Sequence, residues 1–155
     1  MPKTHYKLKP SISVIIEKNG KILFVEEKRG DRISYNEPVG TVEPREPITK
    51  AAIREVKEET GYIIKLTGLI GIYQVIHKKN SRIDAIRFVF TGKIIKKSKR
   101  WKKEKNVTPL WIERSEISKY WNKITRPASR HALGDYLNRE EKKKGDDISI
   151  YKINR

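Results

Sequence analysis

From Ser11 to Ile16 the chain alternates polar and apolar residues and then turns solidly apolar, a pattern that reads as a strand. Asn19-Gly20 follows, the strongest short hairpin signal, and Ile22-Leu23-Phe24-Val25 is the returning strand. Arg29-Gly30-Asp31 reads as a loop, and residues 33–35 as a short strand that Pro38 ends. From Pro47 the period changes. Ala51, Ala52, Ile53, Val56 and Thr60 recur at helical spacing, Pro47 suits a first helical turn, and Gly61 stands just past the end. Strand-like runs return at 62–66, 69–76, 85–90 with 93–95, and 109–112, with a turn at Asn80-Ser81. The spacing then predicts a short helix over 113–121, a longer one over 126–144 behind Pro127, and a terminal strand over 147–153. Strands, a helix, more strands and then helices predict an α+β, mixed-sheet layered fold. Neither an internal repeat nor a linker interrupts the 155 residues, so a single domain over 1–155 is expected.

Composition first pulls against this picture. Hydrophobic residues make up 36% and charged residues 35%, with a net charge of +17, a balance that leans toward disorder. The periodic apolar runs outweigh it. The absence of Cys excludes disulfide scaffolds, zinc–cysteine sites, iron–sulfur clusters and cysteine nucleophiles. No apolar run approaches the ~18 residues of a membrane span. The first ten residues start basic but have no apolar stretch, so no secretory signal and a soluble, cytoplasmic protein are expected.

The chemistry concentrates between Gly40 and Tyr62. Glu55, Glu58 and Glu59 stand at i, i+3 and i+4, and on a helix they point to one side. Three like charges there repel unless a cation sits among them, and an all-oxygen set suits Mg²⁺ or Mn²⁺. The plainer reading is a solvated helix face in which Arg54 pairs with Glu58 at i+4.

The wider spacing decides between them. It runs Gly40, five residues, Glu46, seven residues, Arg54-Glu55, an apolar position, any residue, Glu58-Glu59, any residue, Gly61, apolar. At ordinary residue frequencies a chance match is below roughly one in a million. That spacing resembles the signature of the Nudix hydrolases, over residues 40–62 in full. The resemblance implies an α/β/α sandwich with a mixed β-sheet, and divalent-metal-dependent cleavage of a phosphoanhydride bond. It implies Glu55, Glu58, Glu59 and the Gly40 carbonyl as metal ligands, with Mg²⁺ expected and Mn²⁺ as the alternative. Glu55 and Glu58 are the expected catalytic pair, Glu55 being the first candidate for base. Glu46 and Arg54 are expected to pair and to support the loop.

Departures fall in that loop. Val39 precedes Gly40 where relatives often have Gly, which leaves Gly40 as the residue available for an unusual φ. Arg45 stands where many have Gly, and Pro47 follows Glu46 where Ser or Thr is common. The run Asn36-Glu37-Pro38-Val39-Gly40-Thr41-Val42-Glu43, with Arg126-Pro127 and Asp135-Tyr136-Leu137 downstream, looks like a bacterial subgroup. That subgroup acts on nucleoside tri- and diphosphates and on thiamine-pyrimidine pyrophosphate.

Outside the motif, Glu43, Tyr35 and Glu104 are expected substrate contacts: Glu43 as a further carboxylate, Tyr35 as a face for a base, Glu104 as a carboxylate in the loop before a strand. Each has a plainer reading, as exposed acid or packing ring. Residues 93–105 hold eight basic residues in thirteen around Trp101. They read as an outlying lysine-rich hairpin giving nonspecific attraction to RNA and other polyanions. His5, His77 and His131 form no ligand spacing, and Trp111 and Trp121 read as core. The leading expectation is hydrolysis of a small nucleoside di- or triphosphate or related pyrophosphate. An RNA 5′-end hydrolase and a weakly catalytic nucleic-acid-binding module are the alternatives.

Overall fold

The computed structural model describes residues 8–76, 83–138 and 149–154. Among them the elements run β1 (Lys9–Ile15), β2 (Glu17–Lys18), β3 (Lys21–Arg29), β4 (Arg32–Asn36), β5 (Val39–Thr41), α1 (Ile48–Thr60), β6 (Tyr62–Ile76), β7 (Ile83–Lys97), β8 (Val107–Glu113), α2 (Ile117–Tyr120), α3 (Pro127–Asn138) and β9 (Ser149–Asn154). One mixed sheet has the order β5-β1-β7-β6-β9, with β1 parallel to β7 and β6 parallel to β9. In a second, antiparallel sheet β3 pairs β2 and β4 on one edge and β8 on the other.

Strand alternation builds two cores. Ile12, Val14, Ile16 and Leu23 face α1 through Ala51, Ala52 and Val56. Their neighbours Ile15, Ile22 and Phe24 face α3 through Ala128, Ala132 and Leu133. The α+β sandwich read from the sequence is therefore present, with helices on both faces. Ala51 and Ala52, both fully buried, let α1 lie close to the sheet, and burying Val56 contributes about 1.5–3 kcal/mol.

The hairpin at Asn19-Gly20 forms with both residues at positive φ (53° and 72°), as a type I′ turn requires. Two expectations need correction. The runs at 62–66 and 69–76 are one strand, β6, whose register shifts at Leu66/Gly68 and Leu69/Gly71 break the alternation. The predicted 113–121 helix is instead a 3₁₀ turn (Arg114–Glu116), the single turn α2, and a second 3₁₀ turn (Trp121–Lys123). There the Ile124 N–H is shared between the Tyr120 and Trp121 carbonyls at 3.2 and 3.3 Å, tightening the chain so that Ile117 and Ile124 both reach the core. Helix α3 is described to Asn138; the rest of the predicted 126–144 helix and the turn at Asn80-Ser81 lie outside the described residues.

Candidate active site

Helix α1 carries the site, and its ends are fixed by local chemistry. Pro47 is the extended N-cap (φ −62°), and its carbonyl accepts from Lys50 and Ala51. Gly61 takes the left-handed conformation (φ 76°) that ends the helix, its N–H donating to the Lys57 carbonyl at 2.9 Å.

Arg54 is the hub. Its Nε and Nη2 donate to the two carboxylate oxygens of Glu46 at 2.8 and 2.9 Å, a bidentate fork. Nη2 also donates to the Thr41 carbonyl at 3.0 Å. Nη1 bridges Glu55 (2.7 Å) and Glu58 (3.0 Å). Glu46 in turn accepts the Glu43 N–H at 3.0 Å, which closes the loop before α1. The hydrogen bond from Arg54 holds the Glu46 carboxyl down at about 2. Here the plain i+4 pair and the loop-bracing pair expected from the motif coexist on one guanidinium.

Glu59 points the other way. Its Oε2 accepts the Val39 N–H at 2.9 Å. Burial, opposed by that bond and reinforced by Glu55 and Glu27, pushes its carboxyl up to about 8. Glu55 is likewise raised, by burial first and then by Glu58 and Glu104 against the pull of Arg54. Carboxylates thus follow one another from Glu27 through Glu59, Glu55 and Glu58 toward Glu104. A Cβ built on Gly40 would fall inside the Glu55 carboxylate. Gly40 is not among the residues at positive φ, which corrects the expectation of an unusual backbone: this position is glycine because the Glu55 carboxylate occupies the place of a side chain.

The donor set offered here is carboxylate and main-chain carbonyl oxygen, matched to a hard divalent ion. Among the described residues no three His, Asp or Glu side chains converge tightly enough to form a metal cage by themselves. A guanidinium N–H already stands between two of the carboxylates, and the crowding of like charge is of the kind a cation relieves. The residues therefore fit an ion held by one or two carboxylates with its remaining positions left to water and phosphate.

The other predicted residues separate. Glu104 lines a cleft of about 560 Å³ with Glu46, Arg54, Lys57 and Glu58, at the edge of the carboxylate row. Glu43 has an exposed side chain, and its backbone makes the contacts to Glu46. Tyr35 is a correction. It is 8% exposed and packed in the α3-side core, its OH donating to Glu26 at 2.9 Å and its ring edge-on to Tyr120. Its position on the inward face of β4 makes it packing rather than a surface for a base. The basic tract is not an outlying hairpin. After β7 it crosses the C-terminus of α1, where Trp101 Nε1 donates to the Glu58 carbonyl at 2.8 Å and its ring covers Gly61. Arg100 and Lys102 line the same cleft as Glu58. Trp111 and Trp121 pack at the margins of the two cores, as expected, and His131 is exposed on α3.

Sequence reasoning missed Glu27, Arg87 and Arg126. They line a second, larger cleft of about 800 Å³ beside Val39 and Gly40. Arg87 is buried within the run 85–90, whose other residues are all apolar, and that oddity was its signal. Glu27 and Arg126 had none, because β3 and the start of α3 meet only in the fold, at 3.1 Å.

A helix-borne carboxylate row braced by a bidentate arginine, between two clefts of a mixed-sheet sandwich, defines the class. A NUDIX domain model matches residues 7–134, and the chain belongs to that family. In structure it is similar to a NUDIX hydrolase from Nitrosomonas europaea, with a TM-score of 0.75 and 32% identity over 84% of this chain and 88% of that one. In sequence it is 42% identical over 69 residues to an ADP-ribose pyrophosphatase of Methanocaldococcus jannaschii, covering 43% of this chain and 41% of the relative. It is 33% identical over 84 residues to phosphatase NudJ of Escherichia coli, covering 53% and 54%. The chain spans about half the length of the curated relatives it matches.

Proposed function

We propose that this chain, as a single domain, is a divalent-metal-dependent hydrolase of a phosphoanhydride bond in a small soluble pyrophosphate, nucleoside di- and triphosphates being the first class to try. The observation that carries this is Glu55 against the Gly40 backbone and Glu59 on the Val39 N–H, both on the helix that also carries Glu58, with a cation-lined cleft opening beside Val39 and Gly40. The relatives' names, ADP-ribose pyrophosphatase and 8-oxo-dGTP diphosphatase among them, support the same bond type.

Glu55, Glu58, Glu59 and the Gly40 carbonyl are the candidates among which one or two carboxylates would hold Mg²⁺ or Mn²⁺. When bound, such an ion supplies Lewis-acid neutralisation of the charge on a pyrophosphate. The chain's own residues do the rest. Arg54 and Glu46 fix the loop so that Gly40 stays against Glu55. Glu55 accepts the proton of the attacking water at its carboxylate, with Glu58 beside it. Glu104, at the cleft edge, contacts the substrate side.

The test is incubation with Mg²⁺ or Mn²⁺ and a panel of nucleotides, ADP-ribose and thiamine-related pyrophosphates, assaying phosphate and nucleoside monophosphate. Glu55→Gln and Glu59→Gln should each lower turnover by at least ~10²-fold while the fold is kept. Full metal-dependent activity in either variant would remove that residue from the site.

A further inference from the structure

The basic run 93–105 is built into the fold. Behind β7, the Ser98 N–H donates to the Gly61 carbonyl at 2.8 Å and Trp101 Nε1 to the Glu58 carbonyl at 2.8 Å. At the far end, the Lys28 N–H donates to the Asn106 carbonyl at 3.0 Å. These bonds tie the strap between β7 and β8 to α1 on one side and to β3 on the other. Its side chains therefore start from a fixed backbone, and a ligand need not order that backbone on binding. All eight basic residues of the run are exposed, and Glu104 is the only acid within it.

The array works against the stability of the fold. Lys65 stands directly opposite Lys93 in the β6–β7 ladder, both exposed, and like charges so placed repel. Lys97 is held differently. Its ammonium lies over the rings of Tyr62 and Trp101, 5.7 and 5.8 Å from their centroids, which steadies the cation without neutralising it. The array also has a direction. Arg100 and Lys102 reach the cleft of about 560 Å³ that Lys50 and Lys57 of α1 share with Glu46, Glu58 and Glu104. Cations thus run from the end of β7, over the strap, to the cleft mouth beside Glu58. A flat anionic surface laid on this face would meet those carboxylates together with the lysines. A flexible polyanion can follow the cations and pass the carboxylates by.

We propose that the end of β7 and the strap behind it form a binding surface for single-stranded nucleic acid, whose sugar–phosphate backbone follows the lysines toward the cleft mouth. Recognition is through backbone charge, so little base preference is expected. The binding needs neither metal nor turnover and stands apart from the hydrolytic reading.

The test is the anisotropy of a 3′-labelled oligouridylate of about twelve nucleotides with a 5′-hydroxyl, titrated in EDTA at salt from about 50 to about 200 mM. The slope of log affinity against log salt should be about −4, as expected of about six phosphate contacts on a single strand. Changing Lys93, Lys96, Lys99 and Lys103 together to Gln should make it shallower by about 2–3. Changing the same four to Arg should leave it as it was, because charge is kept. Changing Lys9, Arg32, Lys119 and Lys123 to Gln removes equal charge from exposed positions on other elements and should move the slope by less than ~1. Glu104→Gln removes a like charge from the path and should tighten binding by up to about fivefold. A slope no steeper than about −1 in the unmodified protein, or equal flattening in the control variant, overturns the surface and leaves only the attraction of net charge. Weaker binding by Glu104→Gln overturns the path toward the cleft. Phosphatidylserine vesicles at matched charge form the last arm. Tighter binding to them than to the oligomer, lost in the Lys93, Lys96, Lys99 and Lys103 variant, would assign the face to a membrane and overturn the nucleic-acid reading.

Discussion

The indole N–H of Trp101 donates to the main-chain carbonyl of Glu58 at 2.8 Å, while its ring lies over Gly61. That carbonyl belongs to the last turn of α1, where helices leave acceptors unsatisfied. One side chain therefore caps the helix that carries the carboxylates and pins the loop that carries Glu104. Trp101→Phe keeps the ring but removes the donor. It should cost about 1 kcal/mol, or ~2–4 °C in Tm for a chain of this length. It should also lower kcat/KM on the best substrate as Glu104 loosens. Unchanged Tm and kcat/KM together would show that the cap does nothing for the site.

How much of this was readable beforehand depends on whether the signal is local. Helix α1, its Gly61 stop and its carboxylates were legible because every part lies within one 3.6-residue period. The hairpin at Asn19-Gly20 was legible for the same reason. The continuous β6 was not, because its register shifts erase the alternation that marks a strand. The cleft was not, because Lys9, Glu27 and Arg87 come from three strands and Arg126 from the loop before α3, and they share no spacing. Tyr35 was misplaced since alternation alone gives two faces to a short strand, and only the packing of Tyr120 says which is inside.

Gly40→Ala tests why that position is glycine. Its methyl would overlap the Glu55 carboxylate, which must then swing away. Turnover should fall at least ~10-fold, since small misplacements of a reacting group are costly. In a Glu55→Ala background the same change should cost almost no stability, because the clash is gone. An equal Tm loss in both backgrounds would locate the strain elsewhere.

Mg²⁺ should raise Tm, and above Kd the shift should grow with the logarithm of its concentration. An ion that binds only the folded state stabilises by about 2.7 kcal/mol at about a hundredfold excess over Kd. The shift should vanish when Glu55, Glu58 and Glu59 are all changed to Gln. A shift of the same size in that triple variant would place the ion away from α1.

Arg45 has φ 65°, a left-handed conformation that a non-glycine residue adopts at a cost. It is also the position where the resemblance leads one to expect glycine. Its side chain is exposed, so little packing is lost on removing it. Arg45→Gly should therefore gain about 0.5–1 kcal/mol net of the added chain entropy, seen as ~1–4 °C in Tm. Arg45→Ala keeps the strain and should gain nothing; a gain equal to that of Arg45→Gly would mean the side chain, not the backbone, is the burden.

The Glu46–Arg54 fork should be visible as an acid-dependent term in stability. The bond from Arg54 lowers the Glu46 carboxyl from its ordinary value near 4.5 to about 2 in the folded chain. A depressed folded-state value means that the native protein binds this proton less readily than the unfolded chain does. The stabilisation is then fully present above the unfolded value and is lost as pH falls through the folded one. Other carboxyls titrate over the same range, Glu55 and Glu59 in the opposite sense, so the comparison must be a difference. The Tm of the unmodified protein minus that of Glu46→Gln should be constant from neutrality down to about pH 5 and should shrink steadily toward pH ~2. High salt should reduce it only partly, because the fork is bidentate and only 16% of the Glu46 side chain is exposed. A difference that does not change between pH ~5 and ~2 would mean that the fork adds no charge-dependent stability, and that Glu46 braces the loop by shape alone.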